Sequence, residues 1–339
     1  VEIEHKSNAK LTAPELAGLW GQFMNDTIAI CFNKYALAIV EDPEIKSIYE
    51  TALNLSQTHV KTIKEFFEQE KYPIPQGFTE QDVNLEASRL YTDTFFLNYI
   101  YVMTMHGLTG YGVALGVSAR QDIRRYFSNC NIESIELYNT ILDVMLSKGL
   151  YTRPPYINPP EIAGLAEKQN FLTGWFGDRR PLTSTEIGNI NFNMIKTYLS
   201  KALTLGFSQV ANTQEVREYF VRGTKISSKH TEVFSSVFSE DNLNFPISWD
   251  SMVTNSTNTP FSDKLMMYHI GFLTTSAVAY YGAALATSQR RDLAIHYTRL
   301  TAELMKYAED GTNIMIKNGW MEKPPTADDR MALSKGKKK

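Results

Sequence analysis

The side chains best placed to do chemistry are two histidines, His59 and His230, each in the middle of an apolar run at helical spacing. Ile48, Ala52, Leu55, His59, Ile63 and Phe66 share one helix face, and Tyr219, Gly223, Ile226, His230, Phe234 and Val237 share the matching face of another. An imidazole so placed is either a core group hydrogen-bonded to neighbouring helices or a metal or small-molecule ligand inside a bundle. The core reading leads, because a metal needs three or more ligands and only one convincing ligand stands out in each half. His59 and His230 are therefore the expected binding positions, with no cofactor expected and a metal at either of them as the alternative. Neither belongs to Glu-x-x-His, the motif that with two further glutamates builds a di-iron centre between four helices; Ser56 and Ser227 occupy the place of the glutamate. The acids that recur, Glu15/Glu186, Glu44/Glu215, Asp93/Asp263, Asp122/Asp292 and Glu133/Glu303, fall near expected helix ends, most of them far from a mid-helix histidine at about 1.5 Å per residue. His106 has Ser276 as its counterpart.

A second recurring set is Arg120-x-Asp122 and Arg290-x-Asp292. Residues two apart on a helix do not face each other, so Arg120, Asp122, Arg290 and Asp292 are expected to pair outward, each with a different partner, and to fix a turn or a contact between halves. There is no phosphate-binding glycine loop, zinc cysteine pattern or Gly-x-Ser-x-Gly elbow. No catalytic residue is assigned.

The elements that carry these residues come in two copies. Thr94 to Ala119 is free of charge, as is Leu265 to Gln289, and Tyr111-Gly112-Val113-Ala114-Leu115 returns as Tyr281-Gly282-Ala283-Ala284-Leu285. Asn98, Thr104, His106 and Thr109 make the first run too polar for a membrane span, and Tyr268, His269, Thr274 and Thr275 do so for the second. Both read as third helices covered by other helices, with Gly112-x-x-x-Gly116 and Gly282-x-x-x-Ala286 offering a face for close approach. The third helix is expected to run on through Arg120-x-Asp122 to about Phe127, with a fourth from about Ile132 to Lys148 and from about Thr301 to Lys317. Thr12-Ala13-Pro14-Glu15 and Thr183-Ser184-Thr185-Glu186 open the first helices. Proline-containing crossovers, 73–86 and 246–260, separate the second helix from the third. Helix pair, long extended crossover, helix pair is the ferritin-like form of the four-helix bundle.

The expected organisation is all-α: a first ferritin-like four-helix bundle over 11–160, an aromatic-rich connector over 161–181 packed between bundles, a second bundle over 182–325, and a disordered basic tail over 326–339. The two copies are expected to pack as a pseudo-dimer. A net charge of −3 gives no reason to expect nucleic acid or an anionic membrane as partner. Cys31 and Cys130 have no metal or redox spacing, and reduced thiols in a cytoplasmic setting are expected.

The duplicated bundle, the Tyr-Gly…Arg-x-Asp pattern and the connector Gly174-Trp175-Phe176-Gly177-Asp178-Arg179-Arg180-Pro181-Leu182 resemble an uncharacterised family of tandem ferritin-like proteins from spore-forming Gram-positive bacteria. Its members are often labelled spore coat proteins, by likeness to the coat F type. The resemblance implies a non-enzymatic structural or interaction protein associated with sporulation or the spore, with other coat proteins as partners. It supplies no catalytic residues. The alternative is a ferritin-like oxidoreductase binding a metal or small ligand in the bundle core.

Overall fold

The computed structural model describes residues 9–166, 169–174 and 179–336. Among them, regular structure is helical, with two isolated β-bridges. The first half contains α1 (Ala13–Ile39), α2 (Pro43–Gln69), α3 (Asp93–Gly116) and α4 (Gln121–Ser147); the second contains α5 (Ser184–Val210), α6 (Gln214–Glu240), α7 (Asp263–Thr287) and α8 (Arg291–Lys317). Two helical bundles in tandem result. Thr12 and Thr183 cap α1 and α5 in reciprocal boxes with Glu15 and Glu186, and Gly149 and Gly319 follow α4 and α8 at φ 66° and 69°.

The third helix ends earlier than its composition suggests. Helical geometry ends at Gly116 and Thr287, and after a short link the chain is extended at Arg120 (φ −68°, ψ 131°) and Arg290 (φ −70°, ψ 128°), which become the N-caps of α4 and α8. The cause lies far away in sequence. Glu15 accepts hydrogen bonds from the N–H groups of Ala119 and Arg120, both at 2.8 Å, and Glu186 accepts from those of Gln289 (3.1 Å) and Arg290 (3.0 Å). Asp93 and Asp263 do the same for the α1–α2 and α5–α6 junctions, Asp93 accepting from Asp42 N–H at 2.8 Å and Asp263 from Asn212 N–H at 2.8 Å.

That break also corrects the expected partners of the Arg-x-Asp pairs. Outside helical geometry, residues two apart can meet: Arg120 donates twice to Asp122, both at 2.8 Å, and Arg290 donates to Asp292 at 3.1 and 2.6 Å. Arg120 bonds Glu70 as well. Arg290 and Asp292 are both buried, so their forked pairing is shielded from solvent.

The halves interlock through their crossovers. Asn84 N–H donates to Pro260 at 2.8 Å, Ser262 N–H to Asp82 at 3.0 Å, Thr92 N–H to Met252 at 3.0 Å and Thr254 N–H to Leu90 at 2.9 Å. Phe261, from the second crossover, stacks on Phe32 of α1 at 5.2 Å and meets Tyr35 edge-on. Tyr91, its counterpart, reaches α5 and donates to the Leu203 carbonyl at 3.2 Å. Only glycine fits beneath it, because a Cβ on Gly206 would lie 2.5 Å from the Tyr91 hydroxyl.

Three expectations meet different surroundings. Gly112, Gly116 and Gly282 are exposed, with nothing within 4 Å of where a Cβ would stand, so they form no close helix contact. In the connector, Trp175 and Phe176 lie outside the described residues. Its described residues 161–166 are exposed, and its later part sits against the second bundle: Gly174 abuts Asp292, and Arg180 lies over Phe171 and pairs with Glu186. The tail contains a short exposed helix, α9 (Arg330–Ser334), capped by Asp329; Lys337 to Lys339 are outside the described residues. By length and composition α7 could cross a bilayer; its first half is buried in protein, including Leu265, Met266 and Ile270, which leaves no clear membrane span.

Candidate functional site

His59 sits 6% exposed and His230 1% exposed, as expected of mid-stripe residues. Their neighbours differ from the expected ones. Because α4 begins at Gln121 and not near Ile132, Glu133 lies about 18 Å along the helix axis, level with His59. The distance between Glu133 Oε2 and His59 Nε2 is 2.8 Å, and the second copy repeats the pair with His230 and Glu303 at 3.0 Å. Glu133 and Glu303, placed near a helix end by the sequence reading, are thus mid-helix partners of the histidines.

On its other side each ring meets something different. His59 Nδ1 lies 3.3 Å from Asp26 Oδ2, off the alignment a hydrogen bond needs, and Cys130 adjoins the same cluster. In the second bundle Thr197 occupies the Asp26 position and Leu300 the Cys130 position, and His230 Nδ1 bonds the Tyr281 hydroxyl at 3.1 Å. Lys229 also donates to Glu303 at 2.9 Å. The protonation states diverge accordingly. Burial works against charge on His59, but Asp26 and Cys130 outweigh it and raise its pKa to about 11. Burial keeps the pKa of His230 below the ordinary imidazole value, and Glu303 offsets this only in part.

The opposite shifts predict opposite pH dependence. A raised folded pKa stabilises fully below the ordinary 6.5 and loses that contribution as pH rises toward about 11. A lowered one stabilises fully above 6.5 and loses its contribution as pH falls below that value. His59→Gln should therefore cost most at acid and neutral pH and least in alkali, and His230→Gln most at neutral pH and less in acid, each by about 1–3 kcal/mol at most. Urea unfolding across pH reads this directly; parallel profiles for the two variants would contradict it.

The first bundle, with Phe272 of α7, also forms an open-mouthed cavity of about 310 Å³ lined by Gln22, Asp26, His59, Met103, Tyr111 and Phe272, among others. Gln22 Oε1, Asp26 Oδ2 and His106 Nε2, on residues that line it, have no hydrogen-bond partner. In the second bundle the space beside His230 is about 30 Å³. Three substitutions account for this. Gly21, Gly110 and Asn25 correspond to Phe192, Tyr280 and Lys196, and the Lys196 nitrogen lies 2.7 Å and 3.2 Å from the ring centroids of Phe192 and Tyr280. Burial pushes the Lys196 pKa down to about 5. Outside the first bundle a groove of about 420 Å³ runs between α2 and α4, and Leu55 and Leu137 line both groove and cavity.

The sequence reading named Cys130 only as a reduced thiol and Glu133 only as a recurring acid near a helix end, and it found neither Asp26 nor the cavity. A usable signal existed for Glu133: it recurs as Glu303, three and four residues past positions that differ between halves. The family model that matches this chain, described as a protein of unknown function (DUF3231), covers residues 3–162 and again 170–333. No curated protein matches. Among solved structures, a putative spore coat protein from Bacillus halodurans is 17% identical, aligned over 46% of this chain and 100% of its own, with a TM-score of 0.42.

Proposed function

Starting from a chain that belongs to the DUF3231 family along both of its halves, we propose that it is a non-enzymatic binding protein whose first bundle holds a small, largely apolar molecule. The observation that carries this reading is the difference between the copies: Gly21 and Gly110 leave a chamber where Phe192 and Tyr280 fill one. A cavity of about 310 Å³ lies within the range of small-molecule sites. The unpartnered Gln22 oxygen is an acceptor, so the ligand carries a donor such as a hydroxyl or an amine. The second bundle is the packed counterpart.

Phenol is a suitable probe, with an apolar ring and one donor. In calorimetric titration the protein should bind it saturably, and Gly21→Phe/Gly110→Tyr should reduce that affinity at least about tenfold, or 1.4 kcal/mol. Both glycines have nothing within 4 Å of a Cβ, so the larger side chains have room. Equal binding by the filled variant would contradict the proposal. The cellular setting follows the resemblance to proteins of spore formers: made in the cytoplasm, the protein joins the spore and contacts other coat proteins. A tagged copy present in growing cells yet missing from sporulating cells and spores would contradict that part.

A further inference from the structure

We infer that His59, Cys130 and Glu133 form a site for one divalent transition-metal ion of the zinc class. Their ligand atoms all lie within 4.8 Å of one another. Tetrahedral zinc, with bonds of about 2.0–2.3 Å, needs donors about 3.4 Å apart. The 2.8 Å gap between His59 Nε2 and Glu133 Oε2 would have to widen, while the thiol closes in. Glu133 can make that adjustment because its side chain is 36% exposed, on a carboxylate that also lines the outer groove and gives an ion a way in.

The surroundings suit a metal in two further ways. Asp26, 7% exposed and with Oδ2 unpartnered, lies 3.3 Å from His59 Nδ1. A small turn of the ring would align Nδ1–H with this carboxylate and leave Nε2 free to ligate, the usual outer arrangement of a metal-bound histidine. Thiolate, imidazole and carboxylate together favour zinc over magnesium or calcium, which prefer oxygen alone. On binding, the thiol proton and any proton on Nε2 pass to solvent. The second bundle lacks this set. Leu300 stands for Cys130 and Thr197 for Asp26, and the Lys229 ammonium already neutralises Glu303. The inference therefore assigns one ion per chain, and it stands whether or not the cavity takes an organic ligand.

The test is titration of chelator-treated, full-length protein with Co²⁺, whose thiolate charge-transfer band in the near ultraviolet reports a cysteine ligand. One ion per chain should bind with that band, and Zn²⁺ should displace it. Cys130→Ser should abolish the band. Glu133→Gln, at a partly exposed side chain, should weaken binding, and Asp26→Asn should do so about 10–100-fold. His230→Gln should change nothing. The inference is overturned if the folded protein takes up no Co²⁺ saturably, if the band survives Cys130→Ser, or if Glu133→Gln binds as tightly as the unmodified chain.

Discussion

Replacing Glu186 with alanine should destabilise the protein by about 3–5 kcal/mol, the scale for removing one partner of a buried ion pair. Glu186 is 0% exposed. It accepts from both terminal nitrogens of Arg180, at 2.7 and 3.0 Å, and from the N–H groups of Thr183, Gln289 and Arg290. Truncation leaves the Arg180 charge without its carboxylate, with only the Phe171 and Pro181 carbonyls as acceptors, strands three backbone donors, and frees the turn that starts α8. Burial would raise the pKa of this carboxyl, but Arg180 and the backbone donors outweigh it and hold it at about 2. A depressed acid stabilises above its ordinary 4.5 and loses that contribution as pH falls toward 2. The difference between Glu186→Ala and the unmodified protein should therefore shrink below that ordinary value. Glu15 makes the equivalent backbone contacts without an arginine, so Glu15→Ala should cost less, about 1–3 kcal/mol. Urea unfolding of both variants checks the order. A Glu186→Ala loss under about 1 kcal/mol would show the junction is held by something else.

Residues 11–160 expressed alone should not persist as monomers. The fragment would bare Phe32, Tyr35 and Tyr91, which are 0% exposed in the whole chain, and strand the crossover donors and acceptors now paired across the halves. It should associate into dimers, and it should prefer the second half when both are present. The reason for the preference is a matched pair of contacts. Tyr91 fits over Gly206, whereas in a dimer of first halves it would meet Tyr35, the residue at the Gly206 position, and Phe261 fits against Tyr35 because it lacks the hydroxyl. Sedimentation of the fragment, alone and mixed with 182–325, measures both. A stable soluble monomer would contradict the interlocked description.

Much of this architecture is legible in the sequence because it is written locally. The capped openings at Thr12 and Thr183, the terminating Gly149 and Gly319, and the repeated histidine stripes each specify their own segment. The start of α4 is not local. α3 stops at Gly116, and a glutamate a hundred residues earlier holds the turn at Ala119 and Arg120 from which the next helix begins. Misplacing that start by three turns moved Glu133 away from His59 and hid the ligand set. The cavity was hidden for another reason. Glycines at 21 and 110 read as ordinary small residues, and their meaning emerges only when Phe192 and Tyr280 are seen to occupy the equivalent space.

The claim that the first bundle is a chamber and the second a packed core is open to one direct measurement. In protein labelled with ¹³C at the methionine methyls, Met103 lines the cavity, whereas Met194 and Met315 are buried in the second bundle. Titration with phenol should move the Met103 resonance to a saturating end point and leave Met194 and Met315 in place. A Met103 signal indifferent to excess phenol, or one that moves in step with Met194, would contradict the account.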